Sequence, residues 1–184
     1  FYEISERKEA EDKLRESEER FRQLTENIGE LFWMTTPDTN EMIYISPMFE
    51  TIFGRSCEEI FEKPGVWLKY LHEDDREFVR NSLSKQITGE YSVEYRIVHP
   101  DGSIRWVSEN AYPIKDSNGK TYRVCGVVED ITERKNAESE LRLERNFVST
   151  VLDTADALIL VLNRKGEIIR FNRACERITG YSLY

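Results

Sequence analysis

The chain repeats itself. Ile4, Glu6, Arg7, Lys8, Ala10 and Glu11 return in the same order and spacing as Ile131, Glu133, Arg134, Lys135, Ala137 and Glu138. The match continues through Leu14 and Leu141, and Arg15 and Arg142, to Leu31 and Leu158. After one deletion it resumes, with Ile45-Ser46 against Phe171-Asn172 and Gly54-Arg55-Ser56 against Gly180-Tyr181-Ser182. Self-similarity over so long a period means one module begun twice, not a short-repeat solenoid. Each copy reads as a charge-rich helix, strand, turn, strand and short helix. Only the first copy continues into further strands, so the second is a half-module, expected to lack an independent core. The resulting boundaries are a leading linker helix at 1–20, a complete domain at 21–132, an outgoing linker helix at 133–152 and a truncated second domain at 153–184. With Phe1 in place of an initiator Met, the chain reads as part of a longer protein.

The two helices carry a heptad-like seam. In the first, Ala10, Leu14, Ser17, Phe21, Leu24 and Ile28 alternate spacings of four and three. The repeat puts Ala137, Leu141, Glu144, Val148, Val151 and Ala155 on the matching face. Ser17 and Glu144 are polar breaks at the same point of both seams, where polarity weakens packing and sets register. The stretches 10–17 and 137–144 are too polar to cover a core and point to a parallel homodimer. For Phe21, Leu24 and Ile28, packing on the helix's own domain is an equal alternative. The formal charge of −9 argues against nucleic acid or an anionic membrane surface as partner. No apolar run approaches the roughly 18 residues of a spanning helix, so neither membrane contact nor secretion is expected, and the reading is cytoplasmic. Cys57, Cys125 and Cys175 are too scattered for a disulfide framework or a metal cluster.

Between the helices, residues 30–36 and 42–46 read as a strand pair around a turn at 37–40. Pro47 opens a short helix at 48–53 that Gly54 closes, and Ser56 caps another at 57–61. Pro64-Gly65 breaks the chain before 67–71. Asp74 with Glu77 has the spacing of a capping box, opening a helix with Val79, Leu83 and Ile87 on one face that ends near Gly89. Three strands follow, at 91–99, 103–114 and 120–131, divided by Asp101-Gly102 and Asn118-Gly119. The class is α+β, an antiparallel sheet with helices on one face.

The chain carries Glu94-Tyr95-Arg96-Ile97, then Asp101-Gly102-Ser103-Ile104-Arg105-Trp106-Val107, then Gly126-Val127-Val128-Glu129-Asp130-Ile131-Thr132-Glu133-Arg134-Lys135. These three motifs in this order resemble the PAS sensor family. Leu71-His72-Glu73-Asp74-Asp75-Arg76 is similar to the family's His-Pro-Asp-Asp-Arg segment, with Glu73 for Pro. The resemblance implies a five-stranded sheet in order 2-1-5-4-3 cupped by helices, flanked here by the two long helices. It also implies signal transduction upstream of a histidine kinase, or alternatively a diguanylate cyclase. Asp130, Ile131 and Thr132 form the step from last strand to outgoing helix, the expected relay junction, and either Arg96 or Arg105 is placed to pair with Asp130.

The family's cofactors can be tested residue by residue. Haem-binding members carry a His on the long helix, here about 75–87, which has none; His72 precedes it and His99 sits at a hairpin tip. Photoactive flavin members carry a reactive Cys before that helix, and 62–71 has none. Neither haem nor covalent flavin is expected. Met34, Phe49, Ile52, Phe53, Trp67, Tyr70, Leu71, Phe78, Tyr95, Ile97, Trp106 and Val124 are the candidates to line a space between helices and sheet. They either fill it or enclose a small, partly apolar or aromatic ligand, with Tyr95 or Tyr70 as hydrogen-bond partner. No phosphate loop, catalytic triad or metal-ligand spacing occurs, so no enzyme is expected in this chain. Two functions remain: a sensor that dimerises and relays to neighbouring PAS and output domains, or a ligand-free assembly spacer.

Overall fold

The computed structural model describes residues 2–37, 41–89, 91–155 and 157–181, with the backbone alone at 2–7, 9, 10 and 26. The turn read at 37–40, the side chain of Ala10 and the end of the repeat at Ser182 therefore lie wholly or partly outside the described residues. The chain divides into two compact units, 1–132 and 133–184.

In the first unit, α1 (Tyr2–Asn27) leads into β1 (Leu31–Thr35) and β2 (Met42–Ile45). Next come α2 (Met48–Phe53), α3 (Cys57–Glu62), two 3-10 helices (Val66–Tyr70 and Glu73–Asp75), α4 (Arg76–Ser82) and α5 (Lys85–Thr88). The sheet is completed by β3 (Tyr91–Val98), β4 (Ile104–Lys115) and β5 (Thr121–Asp130). Its strand order is β2-β1-β5-β4-β3, antiparallel throughout. Period-two alternation fixes which side chains turn inward. Leu31 and Trp33, then Tyr91, Val93, Tyr95 and Ile97, then Val107 and Ala111, then Val124 and Val128 are all buried. Phe49, Ile52, Phe53, Ile60, Tyr70, Leu71 and Val79, from the segment between β2 and β3, close over that face to form one core.

Local signals behave as their chemistry requires at α2 and α3. Gly54 ends α2 at φ 68°, and the Ser56 side chain accepts from Glu58 N at 3.2 Å. The capping box does not form. Asp75 instead turns its carboxylate across to β3, where it accepts from Arg96 N at 2.8 Å, Arg96 Nε at 2.9 Å and an Arg96 terminal nitrogen at 2.6 Å. Asp74 takes the outer side of the same guanidinium at 3.3 Å. The long helix is also two short ones, broken after Ser82, so Ile87 is exposed and Gln86 buried.

The Arg96 guanidinium holds the Asp75 carboxyl below its ordinary value. A depressed carboxyl stabilises the fold above its unfolded pKa, near 4, and that stability is lost as pH falls through the lower folded value. Asp75→Asn is expected to cost about 1–2 kcal/mol at neutral pH, with the difference from wild type shrinking under acid. Urea unfolding at neutral and acidic pH measures both.

The second unit holds most of α6 (Thr132–Thr154), then β6 (Leu160–Leu162), β7 (Ile168–Phe171) and α7 (Arg173–Thr179). It reproduces the opening of the first in detail. Ser46 Oγ accepts from Phe32 N while Ser46 N donates to Phe32 O. Asn172 Oδ1 accepts from Ile159 N while Asn172 N donates to Ile159 O. Gly180 ends α7 at φ 72°, as Gly54 ends α2. Asn172 does more than its serine counterpart. Its amide donates to the carbonyls of Leu152, Ala155 and Ala157, tying the C-terminal end of α6 and the chain after it to the end of β7. Burial in this unit is confined to Asn172, Ala174 and Cys175, among the described residues.

Candidate functional site: the cavity and the junction

A cavity of about 50 Å³ lies between the inner face of the sheet and α2, α3 and the Val66–Tyr70 turn. Phe49 and Phe53, stacked at 4.6 Å, and Trp67 and Tyr95, 6.4 Å apart, form aromatic walls. Leu31, Trp33, Ile45, Ile60 and Val128 complete the apolar lining, with Met42 and Leu83 only partly buried at its edge. The volume exceeds the roughly 10–15 Å³ needed by one water, and falls far below the roughly 300 Å³ at which drug-sized pockets begin.

Four of the sequence candidates, Phe49, Phe53, Trp67 and Tyr95, are brought together there. The others are elsewhere. Met34 points from β1 to the opposite side of the sheet, with an Arg123 nitrogen 3.9 Å from its sulfur. Trp106 also faces outward, beneath the Arg96 guanidinium. Phe78 is exposed. Ile52, Leu71, Ile97 and Val124 pack in the core without reaching the cavity. Tyr70 is buried under the Arg55 guanidinium, 4.2 Å from its ring centre. Burial and nearby Glu59 push its phenol up to about 12.

Sequence reasoning missed Glu109. It sits at an inward position of β4, opposite Val93 on β3 and Val128 on β5, and is 4 % exposed. The hydroxyls of Tyr91 and Tyr95 both donate to its Oε2 at 2.9 Å. Burial pushes its carboxyl up; these hydroxyls and the Trp33 indole N–H oppose that rise without overcoming it. Trp33 Nε1 is itself buried with no partner in hydrogen-bonding geometry among the described residues. The missed signal was phase: Val107, Glu109 and Ala111 alternate, so an inward strand position carries a charge.

Below the cavity, β5 runs directly into the junction. Ile131 is buried and its N–H donates to Trp106 O at 2.9 Å. Asp130 Oδ1 accepts from the Thr132 amide at 2.9 Å and from its hydroxyl at 2.5 Å. Thr132 Oγ1 accepts in turn from Trp106 N at 3.0 Å. The first residue of α6 is therefore bonded to both β4 and β5. Of the two arginines, Arg105 is the one facing Asp130, at 3.7 Å. Its guanidinium also donates to the carbonyl of Thr51 at 2.8 Å, at the C-terminal end of α2. One side chain thus links the helix roofing the cavity to the start of α6.

The seam residues remain solvent-facing in this chain. Leu14, Ser17, Phe21, Leu24, Ala137, Leu141, Glu144 and Val148 lie along α1 and α6, where Leu14, Phe21, Leu24, Leu141 and Val148 are exposed. Phe21 also meets Tyr44 edge-on at 5.3 Å, and Tyr44 donates to Thr25 at 2.8 Å, so the end of α1 packs on β2. The segment at Glu3-Ile4-Ser5 is helical, part of α1. All three thiols donate to backbone carbonyls: Cys57 to Ser46, Cys125 to Tyr112 and Cys175 to Ile159. Burial and Glu50 push the Cys57 thiol up to about 11, against any reactive role. No three of His, Cys, Asp and Glu gather as a metal site, and no helix is long and apolar enough to cross a membrane, among the described residues.

The chain is similar in sequence and fold to known proteins. A family profile described as PAS fold matches residues 42–128, and another described as PAS domain matches 146–184. The sensor protein FixL of Bradyrhizobium diazoefficiens is 29% identical over 119 residues, 64% of this chain and 24% of its own. A blue-light-activated histidine kinase of Brucella anthropi is 31% identical over 134 residues, 72% of this chain and 26% of its own. The chain therefore spans about a quarter of the curated relatives it matches. The crystal structure of a sensory box histidine kinase/response regulator from Burkholderia thailandensis is 31% identical, with a TM-score of 0.54 over 70% of this chain and 97% of that one. The cupped sheet, the paired profiles and this match show that the chain belongs to the PAS domain family of sensor modules.

Proposed function

We propose that this chain is the sensing and relay segment of a cytoplasmic signalling protein whose output is a histidine kinase. The observation that carries the reading is the double bonding of Thr132 to Asp130 and to Trp106, with Arg105 joining that junction to α2. A change in how α2 sits over the cavity alters the Arg105 contacts, and so the seating of the first turn of α6. The supporting relatives are sensor kinases by name. The module works as a parallel homodimer through the exposed seams of α1 and α6, beside neighbouring PAS and output domains, without nucleic acid or membrane as partner. It holds neither haem nor covalent flavin, and it catalyses nothing itself. A single-chain mass in analytical ultracentrifugation would remove the dimer.

The test is a chimera, with this chain fused in helical register ahead of a histidine-kinase transmitter. Thr132→Val removes the hydroxyl bonds and keeps the side-chain shape. It is expected to shift autophosphorylation roughly fivefold or more, the lower end of ordinary coupling energies, with the fold retained. An unchanged rate would reject the relay and leave an assembly spacer.

A further inference from the structure

We propose that the cavity takes a small amine on an aromatic or branched aliphatic body, held as its ammonium by Glu109 among the aromatic walls. This rests on the sensor reading and names its ligand class. Glu109 is a buried acid whose hydrogen-bonding neighbours are all neutral. Tyr91 and Tyr95 from β3 occupy one oxygen, and Trp33 from β1 faces the carboxylate without a formed bond. Gln86 of α5, buried and lining the same space, is neutral as well. Buried carboxylates are ordinarily paired with a cation, and here none is supplied by the described residues.

The rest of the lining suits the missing charge. Phe49, Phe53, Trp67 and Tyr95 present rings around the same space, and ring faces attract cations. An anion meets the carboxylate and two phenol oxygens. A neutral alcohol gains one acceptor and forgoes the ion pair and the ring attraction. The space as it stands admits the ammonium head, and the body enters by displacing the half-buried Met42 and Leu83 at its edge. Because burial raises the Glu109 carboxyl, binding an ammonium must also ionise it, so affinity rises with pH until the ligand amine itself titrates.

The test titrates the full chain with 2-phenylethylamine, 2-phenylethanol and 3-phenylpropionate, by calorimetry and by tryptophan fluorescence in a Trp106→Phe background, which leaves Trp33 and Trp67 as reporters. The amine is expected to bind roughly tenfold or more tighter than the alcohol, with no binding of the acid. Glu109→Gln, checked for folding by circular dichroism, is expected to erase the preference. If that variant does not fold, the wild-type pH profile of amine binding decides: a flat profile overturns the proposal. Equal binding of amine and alcohol, a preference that survives Glu109→Gln, or no amine binding at millimolar concentration also overturns it. Binding of the alcohol or acid without amine preference would keep a ligand-binding sensor and reject the amine class. The chimera judges the relay separately.

Discussion

Phe49→Ala will lower the free energy of unfolding by about 3–5 kcal/mol and enlarge the cavity. Phe49 is 2 % exposed, and its loss removes both its own burial and its stack on Phe53. The backbone around it is held by Phe49 N donating to Ser46 O at 3.0 Å and by the Gly54 end of α2. With those bonds in place the site relaxes little, which puts the cost toward the upper part of that range. Urea unfolding measures the loss, and a larger stabilisation of the variant than of wild type by benzene-sized apolar probes would register the added volume. A loss under about 1 kcal/mol would mean that α2 is not packed on the sheet as described.

Gly126→Ala will cost about 1–3 kcal/mol. Gly126 pairs directly with Trp33 across β1 and β5, and a Cβ there would lie 2.4 Å from two carbons of the indole. The glycine has ordinary strand backbone, so the cost is steric. The indole must swing away from β5, and the space beside it is the cavity. Trp33→Phe in the same background is expected to recover part of the loss, because the smaller ring leaves room for the new methyl. A double-mutant cycle with no coupling would show that the indole does not lie over Gly126.

Strand ends were legible in the sequence because turn chemistry marks them. Asp101-Gly102 and Asn118-Gly119 lie between strands whose observed bounds fall about one residue from those read from pattern. The short helices were legible for the same reason, through Ser56 and Gly54. Asp74 was misread because a carboxylate near a helix start has two uses, and the winner was set by Arg96 on a distant strand. The cavity was half legible. Bulky residues were gathered by type, so Met34 and Trp106 entered although strand alternation turns them to the other face. Glu109 was passed over because a charge is not expected in a core. The pairing of Asp130 with Arg105 over Arg96 needed the register of β4 on β5, which places Val107 opposite Asp130.

The central claim is that the state of the cavity reaches α6 through β5 and the junction. Hydrogen exchange at the amides of 131–136 tests it most directly, in wild type, Gly126→Ala and Val79→Ala. Gly126→Ala disturbs the cavity wall four residues upstream of Asp130, and Val79→Ala weakens the core at a buried side chain of α4 that does not line the cavity. The account predicts that, after correction for global stability, Gly126→Ala loosens Ile131 and the first turn of α6 while Val79→Ala does not. Identical protection there in the two variants would contradict it.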